Sequence, residues 1–280
     1  MKGQFYQLDL TTQGPLYPPS EVMDEDGNFI VIGAINRKTG DGVVPMWGRA
    51  IVSPDSAVPA FGEHAPYQVI EEFPTDLPAH IGEKVLHTLP LPIPCSNYPM
   101  LFAPNQYPNA NSERLPSHAF HETPIPDLRP EDGRRLRDPI RLKDWMTAQG
   151  HLSVSLVDQG RAARFVLEFE GLLPHSLYTV MSLRERDLDP ASPTRPGPLG
   201  VPNVFVTDCL GKAVYEAILP DPFPSLERAN ANRIINIVVL WMSYQMNHGG
   251  AIGRFGLGGD IHAQLKFRNR MFDDFHTAPY

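Results

Sequence analysis

The stretch from His151 to Glu185, HLSVSLVDQGRAARFVLEFEGLLPHSLYTVMSLRE, alternates apolar and polar residues. Leu152, Val154 and Leu156 fall on one face, and Asp158–Gly160 supplies a turn. Ala163, Phe165, Leu167 and Phe169 then line one face of a second strand, and Tyr178, Val180 and Ser182 continue a third. Successive side chains of a strand point to opposite faces, so this period buries one face of a sheet and is incompatible with a helix. The chain goes on with NVFVTDCLGKAVYEAILP, a strand, a turn around Leu210–Gly211 and another strand. RIINIVVLWMSYQM is dense in β-branched residues and reads as a buried strand; Trp241, Met242, Tyr244 and Met246 alternate with Leu240, Ser243 and Gln245, so both faces carry bulk. IHAQLKF, with Ile261, Ala263, Leu265 and Phe267 in alternation, closes the set. About seven strands separated by turn signals make the pattern of an antiparallel β-sandwich.

What precedes this core differs in composition. The chain has 30 prolines, and between Pro74 and Pro139 they punctuate almost every phrase. Proline fixes φ and removes a backbone donor, which excludes long helices and central strands there. Tyr98, Met100, Leu101, Phe102, Tyr107, Leu115 and Phe120 are too apolar for a solvated tether, so this stretch is expected to wrap the core in an extended conformation. Pro139 and Gly150 frame a short helix at Ile140–Gln149. Upstream, Phe29–Ile35 and Val43–Val52 are β-rich, with RKTGDG between them, and Asp24–Gly27 turns the chain into the first of the two. Residues 20–55 therefore form a hairpin, and whether it joins the sandwich or pairs with a second copy in a homo-oligomer is open at this level. Trp47 and Trp145 are the expected docking anchors of these segments. The expected layout is N-terminal strands over 1–73, a Pro-rich wrap over 74–149, the sandwich over 150–270 and a tail over 271–280.

LLPHSLY, residues 172–178, has the spacing Leu-x-Pro-x-x-x-Tyr. It resembles the tyrosine corner of fibronectin type III and immunoglobulin-like domains, in which the tyrosine hydroxyl ties down a chain crossing between sheets. The resemblance implies an immunoglobulin-like sandwich and no particular activity. The Cys…Trp…Cys spacing of immunoglobulins themselves is missing.

Composition narrows the partners. The net charge is −8, and the basic cluster Arg134, Arg135, Arg137, Arg141 and Lys143 is diluted by Glu131, Asp132, Asp138 and Asp144. Neither nucleic acid nor an anionic membrane is expected as partner. The longest apolar run, IVVLWM at 237–242, is far short of the roughly 18 residues of a spanning helix. MKGQFYQLDL carries no apolar run of the ~7–15 residues a secretory signal needs, and two cysteines, Cys95 and Cys209, make no disulfide framework, so a cytoplasmic location is expected. Glu168 and Glu170 share the outward face of a strand, and Arg184–Asp187 reads as an ion-paired or solvated loop.

The chemistry is expected at histidines. NHGGAIGRFGLGGDIHAQL, residues 247–265, places six glycines between His248 and His262. The run lacks the G-x-G-x-x-G spacing opening a helix, so no nucleotide is expected. His248 is read as ending a core strand. Asp260 stands two residues before His262, on the same face of a strand. In HAFHE, His118 and His121 are three apart and Glu122 follows. Converging at one rim, His118, His121, His248 and His262 would hold a divalent Zn, Cu or Fe, with Asp260 and Glu122 as orienting or catalytic carboxylates. The leading expectation is thus an enzyme acting on a small, largely apolar organic molecule at this rim. Two alternatives stand beside it: a metal-free histidine–carboxylate acid–base enzyme (an isomerase, cyclase or hydrolase), and a non-enzymatic binding or assembly module.

Overall fold

Strands form where apolar residues alternate or run together, as a computed structural model shows for residues 3–14, 19–57, 62–89, 117–123, 138–192, 194, 196–248 and 261–278. In chain order they are β1 (Gln4–Gln7), β2 (Asp9–Leu10), β3 (Phe29–Thr39), β4 (Gly42–Val52), β5 (Val69–Glu72), β6 (Gln149–Val157), β7 (Ala162–Glu170), β8 (Leu177–Arg184), β9 (Gly197–Pro198), β10 (Val204–Val206), β11 (Ala213–Pro220), β12 (Ile234–Met242) and β13 (Ile261–Lys266). Single helical turns occur at α1 (Ala79–Gly82) and α2 (Leu142–Trp145). The fold is mainly β, built from antiparallel sheets ordered β1-β6-β7-β11, β10-β8-β12-β13-β2 with β9 on β8, and β3-β4-β5. Most of the expected Pro-rich wrap (90–116 and 124–137) and the glycine-rich connection with Asp260 lie outside the described residues.

The chain divides into two compact units: Met1–Leu10, Thr147–Trp241 and Ala263–Tyr280 make the first, Thr11–Met146 and Met242–His262 the second. The first is a β-sandwich. Leu152 and Val154 of β6 and Ala163, Phe165, Leu167 and Phe169 of β7 are buried, while Arg164, Glu168 and Glu170 are exposed, as the alternation requires. Phe169 stacks on Phe205 with centroids 4.7 Å apart, and Phe205 stacks on Tyr178 at 5.4 Å, so rings from the two sheets form one column through the core. All nine residues of β12 are buried. A register shift at Ile235 frees the Asn236 side chain to pair with Phe267, donating to its carbonyl at 2.8 Å and accepting its N–H at 3.0 Å.

Tyr178 does what LLPHSLY suggests. Its buried hydroxyl accepts the Leu173 N–H at 2.9 Å and donates to Gln264 Oε1 at 2.7 Å. Gly211 permits the crossing nearby: its φ is +70°, and a Cβ there would lie 2.0 Å from the Leu172 carbonyl oxygen.

Two expectations need correction, and a third gains detail. The run Arg184–Asp187 is not simply solvated, because Asp187 is fully buried, accepting the Arg184 N–H at 2.7 Å and the Thr194 hydroxyl at 2.5 Å. Burial pushes the Asp187 carboxyl up and the Arg184 guanidinium down from their ordinary values. The last residues, read as a C-terminal tail, are packed within the first unit. Phe272 and Phe275 are buried, and the Arg233 guanidinium donates to their carbonyls at 2.8 and 2.7 Å. Finally, the helix expected at Ile140–Gln149 shrinks to one turn. The Ile140 carbonyl accepts from Leu86 and the Leu142 N–H donates to Lys84, which keeps the entry extended, and Gln149 and Gly150 already pair with β7.

In the second unit, β3 and β4 form the expected hairpin, in register from Phe29↔Val52 to Thr39↔Gly42, with β5 added to β4. Met23, Phe29, Val31, Ile35, Ala50, Val52 and Leu89 form its core, with Tyr67 and Val69 packed against them. The outer edge of β3 is covered by side chains. Thr11 Oγ1 donates to the Ile32 carbonyl at 2.8 Å, Thr12 Oγ1 donates to Ile30 and accepts from Ile32, and the Gln13 amide pairs with both backbone groups of Ala34. Gly33 makes room, since a Cβ there would sit 2.0 Å from Gln13 Oε1.

Replacing Tyr178 by Phe is expected to lower stability by roughly 1–3 kcal/mol, because it removes two buried hydrogen bonds. Chemical denaturation at pH 7 measures this; a loss no larger than that of an exposed Tyr→Phe change would show the hydroxyl to be dispensable.

Candidate functional site

The histidines of interest belong to the least regular part of the second unit. The segment Val85–Leu89 is joined by isolated bridges: His87 pairs with Met23 on one side and with Ala119 on the other, and Val85 pairs with Arg141. The Thr88 N–H donates to the His118 carbonyl at 2.9 Å, the Phe120 N–H donates to Leu86 at 2.9 Å, and Ser117 Oγ donates to the Thr88 carbonyl. HAFHE is therefore held extended at His118–Ala119 and then turns through a single 3₁₀ turn, Phe120–Glu122. The turn gives the two imidazoles of this motif different surroundings.

His118 sits between two threonines. Its Nδ1 is 3.4 Å from Thr88 Oγ1 and its Nε2 is 3.3 Å from Thr123 Oγ1. His121 lies beside Glu122, with Nε2 4.0 Å from a carboxylate oxygen, and its Nδ1 is buried without a hydrogen-bond partner among the described residues. Glu122 itself is exposed. His87 is close to His121 and to the carboxylates of Glu25, Glu122 and Asp24; burial pushes its imidazole below its ordinary value despite them.

His262, the second residue of β13, is buried. The ring of Phe120 lies over it with centroids 4.4 Å apart, and Phe120 in turn packs on Trp145 at 5.8 Å. Trp145 is fully buried, with its indole N–H donating to the Thr11 carbonyl at 3.1 Å. His262 Nδ1 is 3.1 Å from the Glu21 carbonyl oxygen. A carbonyl only accepts, so Nδ1 carries the proton and Nε2 is the ring's acceptor nitrogen. Burial pushes this imidazole down to about 3, with nearby His118 adding to the effect and the Glu21 carbonyl opposing it. His262 is accordingly neutral across the physiological range. Such a ring can accept a hydrogen bond from a hydroxyl or an N–H, but it does not supply a cation.

Of the sequence-predicted set, His118 and His262 are thus neighbours. His121 keeps company with His87 and Glu122. His248 does not end a strand, because β12 stops at Met242 and a turn intervenes. Asp260 lies outside the described residues. Among the described residues, no three His, Cys, Asp or Glu side chains are grouped so that they could hold one metal ion. Thr88, Thr123, Glu21 and His87 carry no signal in the sequence. They enter through backbone pairing between segments far apart in the chain. Compared with known protein families, curated proteins and solved structures, the chain matches none.

The His262 environment has a thermodynamic consequence. The unfolded ring protonates near its ordinary 6.5 while the folded ring resists until about 3, so its contribution is complete above pH 6.5 and is lost as pH falls toward 3. Unfolding midpoints measured from pH 7.5 down to 4 should decline more steeply for the wild type than for His262→Asn, which keeps a donor toward Glu21 but cannot titrate. Parallel declines would mean that the ring is not held neutral.

Proposed function

We propose that this chain is an enzyme in which His118 and His262 form an acid–base site for a small, largely apolar organic molecule, in a reaction of the isomerase, cyclase or hydrolase kind. The observation that carries the reading is that His262, buried beneath the ring of Phe120, lies near enough to His118 for the two imidazoles to interact electrostatically. General acid–base catalysis needs a group that gains and loses a proton within hydrogen-bond reach of the substrate, and a neighbour that keeps the reacting group aligned. His118, whose ring nitrogens face two hydroxyls at 3.4 and 3.3 Å, is assigned the proton transfer. His262, neutral and anchored through Nδ1–H, is assigned the alignment of a substrate donor. The first unit we read as immunoglobulin-like, a reading supported by the Tyr178–Leu173 bond.

The Nδ1–carbonyl bond of His262 is also how metal-binding imidazoles are oriented, so metal content is measured together with turnover. Protein purified without chelator is assayed against a panel of small apolar esters, lactones and enones, with and without prior treatment with EDTA. Turnover should survive EDTA and fall by roughly 10²–10⁴-fold in His118→Ala, with the folded state retained. Stoichiometric metal, with turnover lost on its removal, would replace this reading by the metal-dependent one. Turnover unaffected by His118→Ala and by His262→Ala would remove both.

A further inference from the structure

We propose that the free edge of β1 is a self-association surface, on which a second copy of this chain adds its own β1 antiparallel, with Phe5 opposite Phe5. The pairing joins two sandwiches through one continuous sheet that runs from β11 of one copy to β11 of the other. It does not depend on the acid–base reading of the histidines.

The direction of the backbone groups follows from one bond beside the strand. The Leu8 N–H donates to the Gly150 carbonyl at 2.9 Å, and these two residues continue the register that pairs Gln7 with His151. Backbone groups alternate in direction along an antiparallel strand, so those of Gln4 and Tyr6 face β6 while those of Phe5 and Gln7 face away from it. Among the described residues, no hydrogen bond reaches the N–H or carbonyl of Phe5 or Gln7. Tyr6 turns its side chain inward onto Phe267 and Phe272, at centroid distances of 5.9 and 5.2 Å. Phe5 therefore turns outward, and at 82% it is the most exposed large apolar side chain among the described residues.

An open edge invites pairing, and proteins blunt it with charge, proline, short length or a covering segment. Among the described residues, the other edge strands each carry such a device. Side chains of Thr11, Thr12 and Gln13 close β3, and β5 presents Glu71 and Glu72. β2 and β9 are two residues long and β10 is three. β11 is the telling contrast, being the opposite edge of the same sheet as β1. The Gly211 carbonyl and the Asp221 N–H both bond toward the β7 side, to Leu172 and Arg161, so Val214, Glu216, Ile218 and Pro220 aim their backbone groups outward. Asp208 takes both backbone groups of Lys212, which closes one end of that edge. Pro220 has no N–H to offer at the other end, and the charge of Glu216 stands between them. Nothing comparable guards β1, where Gly3 to Gln7 include neither a charge nor a proline.

The occupant is a second copy because this edge is complementary to itself. Phe5 lies midway between Gly3 and Gln7, so a two-fold axis at Phe5 sets Gly3 of each copy against Gln7 of the other. The outward backbone groups then meet as hydrogen-bonded pairs. The two Phe5 rings lie side by side on one face as an aromatic cross-strand pair, and glycine leaves room for the Gln7 side chain opposite it.

Sedimentation velocity on the full chain, with no tag added before its first residue, tests this from about 1 μM to about 1 mM. The expected result is a monomer–dimer equilibrium. Phe5→Glu and Phe5→Lys should each weaken the dimer by at least roughly tenfold, because each removes the ring pair and opposes like charges. An equimolar mixture of the two variants should dimerise again, since the two-fold axis sets the substituted positions against each other, Glu opposite Lys. Recovery on mixing is a readout that loss of folding cannot produce. A wild type that stays monomeric throughout overturns the proposal. So does a dimer that either variant retains at full strength, or a mixture that stays as monomeric as its components.

Discussion

The second unit depends on a sheet edge closed by side chains. β3 is an edge strand, and an open edge presents a row of unpaired N–H and C=O groups. Here Thr11, Thr12 and Gln13 pair with Ile30, Ile32 and Ala34 through hydroxyl and amide groups. Ser20 adds its hydroxyl to the Ile30 and Thr12 carbonyls. All four side chains are buried, so each must find its partners within the protein. The candidate site hangs from this closure. The Thr12 carbonyl receives the Glu21 N–H at 2.8 Å, and the Glu21 carbonyl in turn receives His262 Nδ1. The Thr11 carbonyl receives the indole of Trp145, which carries Phe120, which covers His262. One run of three polar residues thereby helps to set the tautomer of an imidazole about 250 positions later in the chain.

Burial, rather than pairing of charges, governs the ionisable groups that matter here. For His262, His87, Asp187 and Arg184 alike, desolvation is the leading cause of the shift. Asp187, Arg184 and His262 are held by hydrogen bonds to backbone or hydroxyl groups, which carry no full charge. The contrast is Asp24, fully buried yet supplied with the Lys84 ammonium at 2.7 Å and the N–H groups of Asp26 and Asn28. Lys84 is held above its ordinary value by that carboxylate although burial opposes it. A buried imidazole with a carbonyl and an aromatic face stays neutral, as His262 does. The two sites are both buried and differ in the partners each is given.

Legibility in the sequence followed the range of the forces involved. Alternation is local, and so β6, β7, β8, β11 and β13 were all readable, as was the β3–β4 hairpin. LLPHSLY was readable because the Tyr178 hydroxyl meets the Leu173 N–H only five residues upstream. The α2 boundary was not, because Leu86 and Lys84, more than fifty positions upstream, take the backbone groups a longer helix would need. Asp187 looked like a surface charge, and the hydrogen bonds from Thr194 and the Arg184 N–H help to make its burial tolerable. At the site, the histidines announced themselves by type, but which of them would meet was decided by isolated bridges that leave no periodic trace. His118 and His262 became neighbours, while His121 turned toward His87 through one 3₁₀ turn.

That irregularity has a functional logic. A regular sheet spends its backbone groups on its own ladder and leaves few of them to orient a side chain. The bridged segments around His87 use single pairings, which leaves carbonyls such as those of Glu21 and Phe120 to act on side chains instead. A carbonyl is a partner of fixed polarity, and a partner of fixed polarity selects one tautomer. Placing His262 against such a group fixes where its proton sits without introducing a charge into a buried region, where an unpaired charge would be costly. The hairpin and its closed edge supply the rigidity this requires, and the irregular segments supply the free acceptors.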